Sequence, residues 1–422
     1  MTNRILLLLG CLFGMAAMSY GQSKQAWVTS ADSAYARRDF YAAFKYYEAA
    51  LKYDDSRTDL WYRYAESALE FNAFPSALRA YERVLGSSDK SSYPLTTLRM
   101  AGAYQAMGKY DEAQTFYQRF IDEQPGASPA DLAKADKGIR DVATARQILS
   151  NPGNLSVKNL GDTINSPYSD FGAVYHNDTL YYTSFRFVDR KDMHNPPRPF
   201  NKVMTSVKGA KGQPLAEYFN EPGKHVAHSA FNHDYSRVYY TICEYTSVTD
   251  VRCDLYYRNR SGQSWGLAQR LSINAAGYTN TEPSVARNAE TGEETLFFAS
   301  NRPGGRGQLD IWMAALQPDG SCSTPVNLTA INTPLDDATP FFHEATQTLY
   351  FSSDGHSGLG GYDVFRSMKR GGGWAAPENL GLPFNSSYND VYFVLNEDGT
   401  QALFSSNRPG AVFLDKTKEV CC

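Results

Sequence analysis

Side chains return at two different intervals along this 422-residue chain, and those intervals constrain the fold more than any single motif does. Between residues 27 and 122 the interval is about 34. Ala43, Ala77 and Ala113 recur in register, each followed four residues later by an aromatic (Tyr47, Tyr81, Tyr117) and preceded three residues earlier by another (Phe40, Phe74, Tyr110). Ala31, Ala65 and Ala101 lie twelve residues before them, and Trp27 and Trp61 sixteen before; Thr97 stands in the third copy. Small Ala lets two antiparallel helices approach closely, and the aromatics fill the gap to the next pair. No pair buries its apolar face alone, so the pairs must stack. Ser128 and Pro129 then open one more helix as N-cap and first helical residue, which reads as a cap on the array. Residues 150–154, SNPGN, break it and set a domain boundary at residue 150.

From Leu155 the pattern becomes short aromatic strands separated by Gly, Pro, Asn and Asp turns. Ser184, Ile242, Ser300, Ser353 and Ser406 end corresponding strands (TLYYTSFR, RVYYTICE, TLFFASNR, TLYFSSDG, QALFSSNR) spaced by 53 to 58 residues. Another strand precedes each, and LDIWMA or YDVFRS follows the third and fourth. Asn159-Leu160 with Ile164-Asn165, Asn327-Leu328 with Ile331-Asn332, and Asn379-Leu380 with Phe384-Asn385 punctuate the units. About four strands per unit, repeated radially, give a β-propeller, which hides most sheet edges. The expected fold class is therefore α plus all-β, helical repeats followed by a propeller of about five blades with the last incomplete. The chain stops after the second strand of the fifth unit. Residues 155–160 are expected to supply that blade's fourth strand from the N-terminal side, leaving it one strand short.

The stretch LYFSSDGHSGLGGYDVF, Leu349 to Phe365, has the residue types of an active or metal site. It occupies the place that SNRPGGRGQLDIW holds one unit earlier, so it reads as a turn. Gly355, Gly358, Gly360 and Gly361 are expected to supply positive φ, and Asp310 and Asp363 to cap backbone N–H groups. A calcium site on Asp354 and Asp363 is the alternative, with few acidic ligands to support it.

The helical segments NAFPSALRAYERVL and GKYDEAQTFYQRFI resemble the second helix of tetratricopeptide repeats. The blades, with Ser300-Asn301-Arg302-Pro303-Gly304, Asp310-Ile311-Trp312 and Ser406-Asn407-Arg408-Pro409-Gly410, resemble WD40-like repeats of TolB-type periplasmic proteins. The order of an export signal, tetratricopeptide repeats and such blades is similar to that of a family of Bacteroidetes cell-envelope proteins of the OmpA family. Its members include the PorE-type component of type IX secretion. In that family a regulatory-like sandwich and an OmpA-like peptidoglycan-binding domain usually follow the propeller. The expectation here is a shortened product without them, for which peptidoglycan would be a partner only through a lost C-terminal domain. The resemblance implies a non-catalytic scaffold at the periplasm or outer-membrane periphery that holds envelope proteins. Mapped by register onto the resembled repeat, Tyr35, Tyr62, Glu66, Leu69, Glu70 and Gln105 turn toward the concave groove, where aromatic and acidic groups would hold a peptide or helix.

Residues 1–21 read as a secretory signal: Arg4, an apolar run, then Ser19-Tyr20-Gly21 before Gln22. Cys11 loosely resembles a lipoprotein box, but its preceding apolar run is short. The domains expected are thus a signal at 1–21, helical repeats at 22–150 and the propeller at 151–422. Export permits disulfides, and strands flanking the connection Glu244–Val251 would set Cys243 opposite Cys253. Cys322 has no evident partner, and the vicinal Cys421 and Cys422 rarely bond each other without strain. The net charge of −4 gives no basic field for nucleic acid. There is no H-E-x-x-H, no CxxC pair, no phosphate loop and no G-x-S-x-G elbow, so no catalytic residue, metal or cofactor is assigned. His225 and His228 lack local acidic or Cys co-ligands and read as an exposed loop. Glu282 and Asp337 read as turn carboxylates. Arg186, Arg302 and Arg408 read as bonds between blades, with an acidic-partner site as the sharper reading. A propeller glycosidase with paired acids, or a glycan-binding module without turnover, remains the alternative function.

Overall fold

The structure, a computed structural model, describes residues 25–188, 199–247, 250–288, 291–411, 413–415 and 420–421. The expected signal at 1–21, with Cys11, lies outside the described residues, as does Cys422. The described residues divide into two compact units, those of 25–139 with 415 and 420–421, and those of 140–414. The division falls within a helix, eleven residues ahead of Ser150.

The first unit stacks helical hairpins: α1 (25–36) with α2 (Phe40–Leu51), α3 (Thr58–Glu70) with α4 (Phe74–Leu85), and α5 (Thr96–Ala106) with α6 (Tyr110–Glu123). Each hairpin turns through a residue in the left-handed region, Arg38 (φ 58°), Asn72 (φ 58°) or Gly108 (φ 70°), the usual way to end a helix and reverse the chain. The recurring Ala residues are buried at the helix contacts, as the repeat requires. The recurring Tyr hydroxyls are buried too, and each finds an acceptor on the first helix of its pair. Tyr47 donates to Asp32 (2.5 Å), Tyr81 to Glu66, and Tyr117 to Gln105 (2.7 Å). A seventh helix, α7 (Pro129–Leu149), starts on a Ser128 cap, whose Oγ accepts from Asp131 N at 3.1 Å. A Cβ at Gly138 would stand 2.2 Å from the Tyr117 ring, so glycine lets this helix close on the array.

The second unit is a propeller-like arrangement of antiparallel sheets. Four of them have four or five strands. They are β1 (Asp170–His176) to β4 (Gln213–Pro214), β5 (His225–Phe231) to β9 (Gln269–Arg270), β10 (Asn280–Arg287) to β13 (Val326–Asn327), and β14 (Asp337–His343) to β18 (Glu378–Asn379). A fifth sheet pairs β19 (Asp390–Leu395) with β20 (Ala402–Ser406). Leu403 of β20 packs into the cluster of Ile164, Leu180, Tyr182 and Met204 in the first blade. Phe393 of β19 packs with Tyr350 and Val364 in the fourth. The ring therefore closes by side-chain packing. Residues 155–160 form no strand, contrary to expectation; Leu155, Val157 and Leu160 are exposed instead.

Polar side chains hold each complete blade shut. Asn220, Asn274, Asn332 and Asn385 are buried, and each bonds the N–H and the C=O of one residue in the third strand of its blade: Val203, Leu255, Ile311 and Val364, at 2.7 to 2.9 Å. The side-chain amide stands in for a neighbouring strand just where the outer strand is too short to satisfy the backbone.

The Leu349 to Phe365 loop is a turn. Asp363 Oδ2 accepts from Leu359 N at 2.5 Å, and Asp310 Oδ1 from Gly307 N at 2.9 Å. The glycines have a different cause from the one expected, since none of the four is in the left-handed region. A Cβ at Gly358 would meet Asp363 Oδ2 at 1.6 Å, and one at Gly360 the Ser387 backbone at 2.4 Å. They are there for close approach. Asp354 Oδ1 is occupied by Asp336 N at 2.9 Å, and among the described residues no group of three His, Cys, Asp or Glu is placed to hold a metal. No helix among the described residues is long and apolar enough to cross a membrane.

Candidate functional site

On the helical unit, α1 and α3 bring the expected groove residues into one electrostatic neighbourhood. The Arg63 guanidinium lies 5.4 Å from the Tyr35 ring centre, within range of a cation–π attraction. Burial, with Glu66 and Glu70 nearby, pushes the Tyr35 hydroxyl up from its ordinary acidity; burial and Glu66 push Tyr62 up to about 12. Tyr62 packs against Tyr93, ring centres 4.7 Å apart. Tyr35, Tyr62 and Leu69 are half-buried, and Glu70 and Arg63 are exposed. Two residues differ from their expected placement: Glu66 and Gln105 are 7% and 6% exposed. Their side chains face inward because Tyr81 and Tyr117 need buried acceptors, and Glu66 also pairs with Arg99 at 3.4 Å. The 15-residue offset that Asp32–Tyr47 shares with Glu66–Tyr81 was the sequence signal for that inward role. The surface that remains is a row of aromatic rings and mixed charge, able to stack on side chains and bond the backbone of an extended or helical segment.

The propeller has a second, polar cluster on its axis. Each first strand carries a bulge at one equivalent position, with backbone in the left-handed region: Gly172 (φ 62°), His228 (φ 59°), Glu282 (φ 56°), Thr339 (φ 52°) and Tyr392 (φ 56°). Four of these are not glycine, and such conformations cost about 1 kcal/mol each. Bonds to the neighbouring blades hold them. His228 N donates to Thr183 Oγ1 (3.0 Å), Glu282 N to Thr241 Oγ1 (3.3 Å), Thr339 N to Glu282 Oε2 (2.7 Å) and Tyr392 N to Thr339 Oγ1 (3.3 Å). Tyr392 Oη donates to Glu282 Oε1 at 3.0 Å, which leaves it to accept from His228 Nε2, also at 3.0 Å. His228 Nδ1 is then the acceptor for Thr241 and Thr281. Burial holds the His228 imidazole down to about 3, so it is neutral; burial raises both the Glu282 carboxyl and the Tyr392 hydroxyl. Neither Glu282 nor His228 sits where the sequence suggested. Both belong to strands at the axis, not to a turn or an exposed loop, because a one-residue bulge re-aims a strand side chain and leaves no periodic signal.

The three arginines read from the sequence as bonds between blades instead find their side-chain partners within their own blades, because each follows the second strand and lies beside the start of the first. Arg186 and Arg408 pair with Asp170 (2.6 Å) and Asp390 (2.5 Å) of their own blades, and Arg302 bonds Asn280 (2.6 Å). Each also reaches back to a carbonyl of the preceding turn, Ile164, Phe384 or Ile273. At Asp337 the fourth blade has Gly355 instead of Arg, and burial raises that carboxyl to about 6. The same residue accepts from Thr333 N, as a turn carboxylate does. His225 lies in β5, its ring tilted against those of Phe200 and Tyr245 at centre distances of 5.1 Å. Cys243 and Cys253 face each other across β6 (Arg237–Tyr245) and β7 (Val251–Ser261), with an S–S distance of 2.05 Å. Cys322 is a free thiol raised to about 11 by burial.

No family model matches the chain, and no curated protein does. Among solved structures, a thermostable family-43 glycoside hydrolase is similar over 58% of this chain and 85% of its own, at 11% identity and a TM-score of 0.40. An endo-arabinase from Bacteroides thetaiotaomicron is similar over 58% and 90%, at 13% identity and TM-score 0.37. The first tetratricopeptide domain of Spaghetti (RPAP3), bound to the HSP90 peptide SRMEEVD, is similar over 31% and 95%, at 18% identity and TM-score 0.25.

Proposed function

We propose that this chain is a non-catalytic scaffold whose helical unit binds an extended or helical segment of a protein partner. The observation that carries the reading is the row of half-buried Tyr35, Tyr62 and Leu69 with exposed Glu70 on the first helices, beside exposed Arg63, whose guanidinium lies over the Tyr35 ring. Rigid Tyr rings lose little entropy on contact, and the mixed charge beside them selects register. The order of domains read from the sequence supports a cell-envelope setting, at the periplasm or outer-membrane periphery, with type IX secretion as the most specific assignment. Peptidoglycan belongs to this proposal only through a further C-terminal domain. Photo-crosslinkers at positions 35 and 62, with exposed Gln118 as control, test the site in envelope extracts. The reading expects one saturable adduct at 35 and 62 that is absent at 118; equal labelling at all three, or none, rejects it.

A second reading, a propeller that binds or hydrolyses a glycan, is favoured by the Glu282 carboxyl, which burial raises above its ordinary value on the propeller axis. Turnover of a glycan panel that disappears in Glu282→Gln would establish it.

A further inference from the structure

The seams on the two sides of the third blade are built from equivalent positions and filled differently. In the seam between the second and third blades, Tyr239 stands opposite Tyr257 and Arg237 opposite Asn259 across β6 and β7. The Arg237 guanidinium lies 4.7 Å from the Tyr257 ring centre and donates to Tyr239 Oη (3.2 Å), Asn259 Oδ1 (2.9 Å) and Pro318 O (3.2 Å). The third blade covers what is left. Leu316 is buried in one cluster with Tyr239 and Tyr257, and a Cβ on Gly320 would stand 2.3 Å from the Tyr257 hydroxyl. In the seam between the third and fourth blades, the same positions hold Phe297 opposite Met313 and Thr295 opposite Ala315, across β11 (Glu294–Ser300) and β12 (Asp310–Leu316). Thr295 thus replaces the arginine, and no guanidinium fills the space. Lys369, in β16 (Asp363–Arg370), is the counterpart of Leu316 and is exposed. The hairpin beyond it turns through Gly371 (φ 55°) and Gly372 (φ 84°), and a Cβ on either would meet nothing within 4 Å. A groove of about 320 Å³ is left, at the low end of the size range of small-molecule sites.

The floor and the rim of this groove differ in kind. Phe297 and Phe342 stack in the floor, ring centres 5.3 Å apart and planes 12° from parallel, with Met313 beside them and Trp374 edge-on to both rings. The rim carries Arg287 and Lys369, both exposed, and neither side chain makes an ion pair among the described residues. Glu293 is the one acid lining the groove, and its Oε2 already accepts from Thr291 Oγ1 at 3.1 Å. A flat apolar body suits the floor, and a negative charge suits the rim; a cation would be repelled there.

We propose that the groove between the third and fourth blades binds a small aromatic carboxylate. The ring lies against Phe342 and Met313, and the carboxylate stays at the rim, toward Lys369 and Arg287. Burial of the ring supplies the affinity, and the two cations supply the preference for an acid. The site belongs to the propeller alone and does not rest on the helical groove.

The probe is para-fluorohydrocinnamate, titrated into the full chain and followed by its fluorine NMR signal, with para-fluorohydrocinnamyl alcohol as the uncharged control. Saturable binding of the acid is expected, about fivefold tighter than that of the alcohol, the advantage that an exposed ion pair confers. Lys369→Met should remove most of that difference and leave alcohol binding unchanged. Ala315→Trp, at an exposed position on the groove wall, should block both ligands, and Met313→Trp should block them from the floor; either variant suffices if the other folds poorly. Four outcomes overturn the proposal. They are no saturation, equal affinity for acid and alcohol in the wild type, an acid preference that survives in Lys369→Met/Arg287→Met, and undiminished binding in a folded blocked variant.

Discussion

The helical unit and the propeller both solve the problem of stacking similar pieces, but they keep their repeats in different residues. In the helical unit the backbone satisfies itself within each helix, so what must recur is apolar: small Ala at the contacts and aromatics between pairs. The few polar groups that recur, Asp32, Glu66 and Gln105, serve the buried Tyr hydroxyls. In the propeller the outer strands are two residues long, too short to cover the third strand. What recurs there is polar: Asn220, Asn274, Asn332 and Asn385 on the backbone, and Asp310 and Asp363 on the turns. A repeat thus shows itself in whichever side chains do what the backbone leaves undone.

The largest effect should come from breaking the propeller's polar repeat. Asn332→Ala leaves the Ile311 N–H and C=O unpaired in the interior and should cost about 3 kcal/mol, whereas Asn165→Ala, at a residue that clamps no strand among the described residues, should stay within about 0.5 kcal/mol. Urea unfolding of the two variants measures that contrast, and equal losses would break it. In the helical unit, Glu66→Ala strands the Tyr81 hydroxyl and the Arg99 charge and should cost about 2 kcal/mol; Glu66→Gln keeps an acceptor and should recover roughly half. Recovery by Gln separates an inward role from a groove role, because a groove residue would affect binding and leave the melting point alone. Reducing the Cys243–Cys253 disulfide opens a link between residues only 10 apart, so a loss of about 2 kcal/mol is expected, confined to the propeller transition.

The smallest predicted effect depends on pH. His228 is held down to about 3 when folded against an ordinary 6.5. The unfolded chain therefore takes up a proton as pH falls below 6.5 and the folded chain does not. The stability tied to neutral His228 is complete above about 6.5 and is lost as pH falls toward 3. Relative to His228→Gln, the wild-type propeller should lose on the order of 1 kcal/mol between about pH 7 and about pH 5.5. Asp337 and Asp363, raised by burial to about 6 and about 7, act in the opposite sense in both proteins, so the difference between them isolates the histidine.

Much of this fold was legible because repeats print themselves several times. The Ala and Tyr spacing gave the hairpins, and the Ser-Asn-Arg and Asp-apolar-aromatic runs gave the blades. The recurring Asn residues were visible too, although their clamp on the third strand emerges only when the backbone is seen. What the sequence hid was of two kinds. Glu66 and Gln105 lie on the face that the helical register assigns to the groove, and only their Tyr partners turn them inward. Glu282, His228 and Tyr392 meet on the axis through bulges, and a bulge adds one residue without a compositional trace. The turn glycines show a third limit: close approach and positive φ select the same residue, and only coordinates separate them.

The central claim, that partner binding belongs to the helical groove and not to the propeller axis, is tested most directly by measuring the affinity of the crosslinked partner for three full-length proteins. These are the wild type, a Tyr35→Ala/Glu70→Lys variant and Glu282→Gln. The account predicts a loss of tenfold or more for the groove variant with an unchanged helical melting transition, and wild-type affinity for Glu282→Gln. Wild-type affinity in the groove variant together with a loss in Glu282→Gln would contradict it.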